Sequence, residues 1–283
     1  MLKELEAHTQ WVTDLPESNR PSGWTADSKS VLFDSSSNGT SRILKQGISE
    51  DTAQLLVAEP QRPVFPLWPR LSSDGTWIVY VEAPKTPSAP MRVMRIPVSG
   101  GVPQFVVESA KGLNDECARA PANLCVALEE SQEDKHLIVA EFDPLTGKRN
   151  VLRTIEKDPA VHLFGSGLSP DGSTFAISRS YEAGINIRLL LLVGGPDREI
   201  VVKGWSNLPW GPLSWSADGK GLYVGSVSPQ ASTLLYVDLK GNARVLWQYK
   251  GSGVIWGIPP PDGRYLAIEG RVSNSNVWML QGF

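Results

Sequence analysis

The sequence has few of the residues that thiol, metal or histidine chemistry requires. Its 283 residues include two cysteines, Cys117 and Cys125, and three histidines, His8, His136 and His162. No histidine lies close to the cysteines in sequence to complete a zinc site, and no Gly-x-Ser-x-Gly motif marks a catalytic serine. The histidines are too scattered to indicate a Ser-His-acid triad. The sequence therefore predicts no catalytic residue, no metal and no other cofactor.

A basic excess and a long apolar segment are also missing. Lysine and arginine number 27 against 30 aspartates and glutamates, which gives a net charge of −3. Because a nucleic-acid-binding surface needs positive charge to pair with phosphates, nucleic acid is not an expected partner. No segment approaches the roughly 18–20 consecutive apolar residues that span a bilayer, and the polar residues 1–6 lack the layout of a signal peptide. We expect no membrane insertion by this chain.

The main feature that the sequence does contain is an internal repeat of about 47 residues. A turn motif such as Ser169-Pro170-Asp171-Gly172 recurs, and its aspartates are 47, 97, 47 and 44 positions apart. These aspartates are Asp27, Asp74, Asp171, Asp218 and Asp262. The double gap predicts a degenerate copy near residue 122, where Ala120-Pro121-Ala122-Asn123 is itself a turn signal. Six copies, most of them with an Asp-Gly hairpin turn, account for nearly the whole chain.

Each copy predicts four antiparallel strands. One strand precedes the turn, and the strand after it carries an apolar triplet such as Ile78-Val79-Tyr80, which needs a packed sheet on both of its faces. Two short strands follow, for example 91–96 and 104–107. Four-stranded sheets repeated radially predict an all-β, six-bladed β-propeller. The predicted single domain, 1–283, has blades at roughly 17–60, 61–109, 110–157, 158–204, 205–250 and 251–283.

The ends of the chain predict how the ring closes. The last repeat stops after its third strand, 276–280, and a strand-like segment, 10–15, precedes the first full repeat. We expect that N-terminal segment to complete the last blade, because joining the two ends removes the open sheet edges that favour aggregation. A closed ring of this kind predicts a monomer.

The turn motif resembles the TolB-type propeller repeat, a relative in shape of the tryptophan-aspartate propellers. The resemblance rests on the Ser-Pro-Asp-Gly turn with an aromatic residue or leucine three positions before the aspartate, as at Trp24, Leu71, Leu168 and Trp215. The third repeat and the ending 275–280 also resemble the C-terminal propellers of certain bacterial receptor kinases and winged-helix regulators. This resemblance implies a non-enzymatic sensory or protein-interaction module. It implies an extracytoplasmic location for a receptor fragment, whereas a complete chain without an export signal would be cytoplasmic.

Two other functions remain open at this point. The chain is also compatible with an accessory or gating propeller of a serine peptidase system whose catalytic domain lies on another chain. A propeller enzyme acting on sugars would need two channel carboxylates. Asp115 and Glu116 are the acids on a predicted innermost strand, but adjacent strand residues point to opposite faces.

The innermost strands line the central channel, which makes their residues candidate ligand contacts. With Asn123 taken as the third turn position, arginines stand four positions and tryptophans six or eight positions before the turn in several repeats. Arginine and tryptophan are enriched at binding hot spots. The candidates for contact with a protein, a peptide or a small anionic ligand are Trp68, Arg70, Arg119, Trp210 and Trp256. Alternatively, the tryptophans pack between blades and the arginines pair with a carboxylate such as Asp115 or Glu116.

The two cysteines are equally distant from Pro121 in the predicted turn. On antiparallel strands, residues equidistant from a turn face each other, which places Cys117 and Cys125 within reach of a disulfide. The alternative is a pair of buried free thiols, because free cysteine behaves as a small hydrophobic residue.

Overall fold

The computed structural model describes residues 18–58, 63–86, 89–109, 114–131, 133, 135–157, 162–181, 184–205, 213–251, 253 and 255–270. These residues form 22 strands in five four-stranded antiparallel sheets and one two-stranded sheet, each in sequential strand order. The part of the chain within these ranges contains no helix long and apolar enough to cross a membrane.

The strands are numbered in chain order. Blade 1 consists of β1 (Ser18–Trp24), β2 (Ser30–Ser37), β3 (Thr40–Gly47) and β4 (Gln54–Val57). Blade 2 consists of β5 (Val64–Leu71), β6 (Trp77–Pro84), β7 (Met91–Pro97) and β8 (Gln104–Ser109). Blade 3 consists of β9 (Asn114–Cys117), β10 (Cys125–Glu130), β11 (His136–Phe142) and β12 (Arg149–Glu156). Blade 4 consists of β13 (His162–Leu168), β14 (Thr174–Tyr181), β15 (Gly184–Leu191) and β16 (Arg198–Val202). Blade 5 consists of β17 (Ser214–Trp215), β18 (Gly221–Val227), β19 (Ala231–Asp238) and β20 (Ala243–Lys250). The sixth repeat contains β21 (Ile255–Ile258) and β22 (Ala267–Gly270).

The all-β prediction with four-stranded antiparallel blades is confirmed, but the number of blades is not. The structure shows five four-stranded blades rather than six, because the sixth repeat contributes only β21 and β22 within the described ranges. The strand predicted at 276–280 and the closing strand predicted at 10–15 lie outside the described residues. Closure by the N-terminal segment is therefore not shown.

The second strand of a blade is buried on both faces, as its apolar triplet predicts. In β6, Ile78 and Tyr80 pack in a cluster with Leu32 of blade 1, whereas Val79 and Val81 pack in a cluster with residues of blade 3. All four of these β6 side chains have 0% exposure. The core is thus a series of layers between neighbouring sheets instead of one central cluster.

Tryptophan side chains hydrogen-bond from one sheet to the next close to the channel. Trp215 Nε1 of blade 5 donates to Gly167 O of blade 4 at 3.0 Å. Trp24 Nε1 of blade 1 donates to Ile258 O of the sixth repeat at 2.8 Å. Strand β21 also packs against β18 of blade 5 and against β1, so the two-stranded sheet lies between blades 5 and 1. Trp24 and Trp215, which stand three positions before the turn aspartate, are thus contacts between neighbouring sheets.

The aspartate turns join the first and second strands as the repeat predicts. In blade 2, the Asp74 carboxylate accepts hydrogen bonds from Ser72 Oγ at 2.6 Å and from Thr76 N at 3.0 Å. Gly75 follows with φ of 74°, a conformation that glycine adopts at no steric cost. The turn thus depends on its small polar residue, its aspartate and its glycine together.

We expect Trp215→Phe to lower the free energy of unfolding by about 1–3 kcal/mol, because it removes a buried hydrogen bond from blade 5 to the Gly167 carbonyl of blade 4. Urea denaturation monitored by circular dichroism measures the loss. Trp77→Phe is the matched control, since Trp77 is only partly buried and stacks under the Arg95 guanidinium at 4.3 Å. Its loss should stay below about 1 kcal/mol. Equal losses would show that the bond between blades contributes nothing specific.

Candidate site at the channel mouth

A cavity of about 280 Å³ lies where the first strands converge, at the end of the channel that carries the aspartate turns. All six repeats contribute to its wall. The lining residues fall within 22–26, 70–75, 116–120, 167–170, 213–215 and 258–261. Arg70, Glu116 and Arg119 are its ionisable side chains apart from the aspartate of one turn, Asp74. The cavity therefore combines opposite charges with a lining of serines, small apolar residues and the edges of two tryptophans, Trp24 and Trp215.

Strand register corrects which residue of blade 3 is equivalent to Arg70. Arg70 pairs with Val79, the middle residue of its triplet, and in blade 3 the residue that pairs with the equivalent Val126 is Glu116. We call the set of first-strand residues that pair with the middle residue of the triplet in each blade a column. The sequence alignment predicted Arg119 in the same column as Arg70, and this is wrong, because Glu116 occupies that position in blade 3. Seven residues lie between Cys117 and its partner Cys125, whereas six lie between Leu71 and its partner Ile78. Because the connection in blade 3 is one residue longer, aligning Asn123 with the turn aspartates does not match equivalent residues of the first strands.

Arg70 of blade 2 contacts both neighbouring blades. Its Nη2 lies 2.9 Å from Glu116 Oε1 of blade 3, and its Nη1 donates to Ser22 O of blade 1 at 3.4 Å. Both side chains of the ion pair are 12% exposed. The sequence left open whether Arg70 contacts a ligand or pairs with a carboxylate, and the structure shows the ion pair with Glu116. Arg70 Nε is buried and donates to no acceptor among the described residues.

Two buried acids lie on β9 beside Arg70. Burial raises the pKa of Glu116 to about 7, against the lowering influence of Arg70, and adjacent Asp115 raises it further. Burial likewise raises the pKa of Asp115 to about 6. Neither carboxylate oxygen of Asp115 accepts a hydrogen bond from the part of the chain described. Arg70 thus faces two carboxyl groups that resist ionisation.

Arg119 lies beyond the end of β9 and reaches across the mouth. Its backbone N–H donates to Pro170 O of blade 4 at 2.9 Å, which fixes its position in the ring. Its Nη2 donates at 3.3 Å to Pro259 O of the sixth repeat, on the opposite side of the channel. Its Nη1 is buried without an acceptor among the described residues, and burial lowers its pKa. The guanidinium thus has one neutral carbonyl partner and no carboxylate in the described ranges.

The tryptophan candidates do not gather at the cavity. Trp68 packs in the cluster between blades 2 and 3, and its backbone N–H donates to Asp34 Oδ1 at 3.1 Å. A bulge between Leu67 and Arg70 breaks the alternation that would have aimed Trp68 at the channel. Trp256 is 7% exposed and donates from Nε1 to Pro21 O at 3.0 Å, so it is a contact between sheets. Trp210 lies outside the described residues.

The two cysteines form a disulfide next to the site. Cys117 and Cys125 are directly paired across β9 and β10, and a disulfide bond joins them. Of the two alternatives for the thiols, the structure has the bridged one. Cys117 also lines the cavity, and the bridge closes the base of the hairpin that carries Arg119. The irregular connection between β9 and β10 in blade 3 is therefore covalently linked at its base.

Comparison with known proteins identifies the fold. No family model matches the chain, and no curated protein matches it in sequence. A solved structure described as TolB from Agrobacterium tumefaciens matches with a TM-score of 0.65 at 16% identity, over 91% of each chain. The fold is a TolB-like β-propeller.

Enzymes with propellers share this TolB-like fold. An oligogalacturonate lyase in complex with manganese matches with a TM-score of 0.56 at 16% identity, over 90% of this chain and 70% of the lyase. A prolyl endopeptidase matches with a TM-score of 0.56 at 15% identity, over 84% of this chain and 36% of the peptidase. At these identities the likeness establishes the fold alone.

The buried acids of this TolB-like propeller predict a stability that falls as the pH rises. The pKa values of Asp115 and Glu116 in the folded state, about 6 and about 7, exceed the ordinary 3.8 and 4.5, so the folded protein keeps protons that the unfolded chain releases. These protons stabilise the protein fully below about pH 4, and the contribution is lost as the pH rises toward 7.

We expect Asp115→Asn to remove one buried ionisation. It should raise the free energy of unfolding by up to about 3 kcal/mol at pH 8 and leave it nearly unchanged at pH 4. Urea denaturation at both pH values measures this. Asp143→Asn is the control, because a hydrogen bond from Thr146 lowers the pKa of that exposed aspartate. It should not gain stability at pH 8, and an equal effect of Asp115→Asn at both pH values would contradict the interpretation.

Proposed function

We propose that this TolB-like propeller is a non-enzymatic binding module. It takes an anionic group of a protein, a peptide or a small ligand at the mouth of its central channel. The observation that carries the proposal is Arg119, a guanidinium at the cavity whose one side-chain hydrogen bond to a described residue goes to a neutral backbone carbonyl.

A backbone carbonyl is a weaker partner for the Arg119 guanidinium than a carboxylate would be. A carboxylate attracts the guanidinium by its full negative charge and can accept two parallel hydrogen bonds from the arginine fork, whereas a backbone carbonyl offers one neutral oxygen. The bond from Arg119 Nη2 to Pro259 O is long, at 3.3 Å, and Nη1 donates to no described acceptor. A carboxylate entering the mouth would offer the guanidinium a stronger partner than it now has.

The other charges at the cavity support binding over catalysis. Glu116 is engaged with Arg70, and Asp115 precedes it on the same strand, so the two carboxyl groups do not flank a common point as a hydrolytic acid and base would. The proposal therefore assigns Arg70 and Glu116 to the wall of the site and Arg119 to the ligand.

Selection from a peptide display library with free C-termini tests the proposal. Peptides enriched on the wild-type chain should lose at least about tenfold in affinity for Arg119→Gln, which removes the charge and keeps much of the size. Calorimetry measures each dissociation constant. Arg198→Gln is the matched control, since Arg198 Nη2 also donates to a backbone carbonyl, Leu239 O, but lies away from the cavity. Peptides that bind Arg119→Gln as tightly as the wild type would refute the proposal.

The second candidate is an accessory or gating propeller of a serine peptidase system. This candidate is favoured by the similarity to a prolyl endopeptidase, in which the match covers 36% of the peptidase chain. A fluorophosphonate probe for serine hydrolases distinguishes it. A labelled hydrolase that co-purifies with the chain would support the accessory role, and turnover of chromogenic peptides or glycosides by the purified chain alone would contradict both candidates.

A further inference from the structure

Five aspartate turns and one arginine surround the channel mouth. Blades 1, 2, 4 and 5 and the sixth repeat each place an exposed aspartate in the turn after the first strand. These residues are Asp27, Asp74, Asp171, Asp218 and Asp262. Blade 3 has Ala120 and Pro121 at the corresponding turn and contributes Arg119 from the same connection. The mouth therefore carries a positive centre within a negative rim.

Three of the rim carboxylates have a basic residue two positions further along the turn. Lys220 Nζ lies 3.7 Å from Asp218 Oδ2, and Arg264 Nε lies 3.6 Å from Asp262 Oδ2. At Asp27, a hydrogen bond from Thr25 lowers the pKa most, and the Lys29 charge lowers it further. In blades 1 and 5 and in the sixth repeat, each turn aspartate therefore has a basic side chain on the same turn.

The other two rim carboxylates lack such a neighbour and flank blade 3. The residue two positions after Asp74 is Thr76, and the residue two positions after Asp171 is Ser173. Both hydroxyl groups donate to the carboxylate of their turn. Hydrogen bonds lower the pKa of Asp171, and at Asp74 they outweigh the opposing effect of burial, so both carboxylates are ionised at neutral pH.

These two turns also contact the hairpin that carries Arg119. Ser73, beside Asp74, donates from Oγ to Leu124 O at 3.0 Å. Pro170, beside Asp171, accepts the Arg119 backbone N–H at 2.9 Å. The backbone of Arg119 thus lies between the turns of Asp74 and Asp171, and its guanidinium extends from there across the mouth to Pro259 O. No ion pair within 4.0 Å joins it to either carboxylate among the described residues.

The two arginines that line the cavity differ in their partners. Arg70 is paired with Glu116, whereas Arg119 has no carboxylate partner among the described residues. Arg119 therefore offers a partner to one carboxylate, whereas Asp74 and Asp171 repel a second negative charge and attract a positive group. A phosphate or a dicarboxylate would meet this repulsion at the rim.

We propose that the mouth selects a zwitterionic chain end, with its carboxylate on Arg119 and an adjacent positive charge facing Asp74 and Asp171. This inference rests on the proposed function and names its ligand class. A peptide C-terminus ending in a basic residue and a free basic amino acid share the required chemistry. The cavity of about 280 Å³ accommodates one such end and not a folded domain.

Calorimetry with three N-acetylated tetrapeptides tests the inference. One ends in lysine with a free carboxylate, one ends in glutamate with a free carboxylate, and one ends in lysine with an amide. We expect the lysine carboxylate to bind about tenfold more tightly than the glutamate carboxylate at low salt, with the preference shrinking at high salt as screening increases. The amide should bind weakest. Free lysine in a fourth arm separates the two sources, because binding of free lysine at equal affinity points to an amino-acid ligand and weaker binding points to a peptide.

Variants separate the charge of the rim from the charge of the centre. The double change Asp74→Asn and Asp171→Asn should abolish the preference for lysine over glutamate and keep the dependence on a free carboxylate. Asp143→Asn is the matched control, since Asp143 makes the same kind of turn hydrogen bonds, from Leu145 N and Thr146 Oγ1, in a loop away from the mouth. It should change neither property.

The outcomes distinguish the two proposals. Binding that depends on Arg119 and on the carboxylate, but is equal for lysine and glutamate ends, would overturn the zwitterion inference and leave the binding function intact. A lysine preference that survives the double rim variant would also overturn it. Absence of any binding that Arg119→Gln weakens would overturn the proposed function itself.

Discussion

The burial of each blade's second strand on both faces is the constraint on which the rest of the structure depends. In β6, successive side chains pack against blade 1 and blade 3 in turn, and none is exposed. A blade standing alone would leave both faces in water, and fully burying one large apolar side chain contributes about 1.5–3 kcal/mol. Each sheet is therefore stable only beside its neighbours, and this requirement arranges the first strands around a common channel.

An assembly of equivalent sheets places equivalent residues around its axis, so a specific site needs one sheet that differs. Blade 3 is that sheet. It carries Glu116 in the column where blade 2 has Arg70, and its connection is one residue longer. The longer connection replaces the turn aspartate and holds Arg119 across the mouth, while the disulfide between Cys117 and Cys125 closes its base. The longer connection and the missing turn aspartate make blade 3 difficult to align with the other repeats, and the same two features make the channel asymmetric.

The charges at the axis add more to specificity than to stability. A buried ion pair gains little over apolar packing, because both partners lose their hydration, but it strongly penalises the loss of either partner. Arg70 and Glu116 thus tie blades 1, 2 and 3 in one arrangement. Arg119 is different, because among the described residues its side chain has one hydrogen bond, to a neutral carbonyl, to offset the cost of burying its charge. A scaffold with well-packed layers tolerates such an unfavourable group, and unfavourable placement of a charge is characteristic of binding sites.

Much of this architecture follows from the sequence alone, because it depends on local patterns. The spacing of Asp27, Asp74, Asp171, Asp218 and Asp262 determined the turns, and the apolar triplets determined the strands buried on both faces. The placement of Arg70 at the channel and the facing of the two cysteines also followed, since both depend only on distance from a turn. The number of complete blades did not, because the described sixth repeat forms two strands.

Tertiary structure alone decided the arrangement of the site. Because the connection in blade 3 has one extra residue, Arg119 does not occupy the position equivalent to Arg70. Because a bulge lies between Leu67 and Arg70, Trp68 packs in the cluster between blades 2 and 3. The partners of Arg70 and Arg119 lie on other repeats, 46 and 140 positions away along the chain. Periodicity reports what each repeat has in common, whereas the site consists of contacts between repeats, and those contacts exist only once the sheets have packed together.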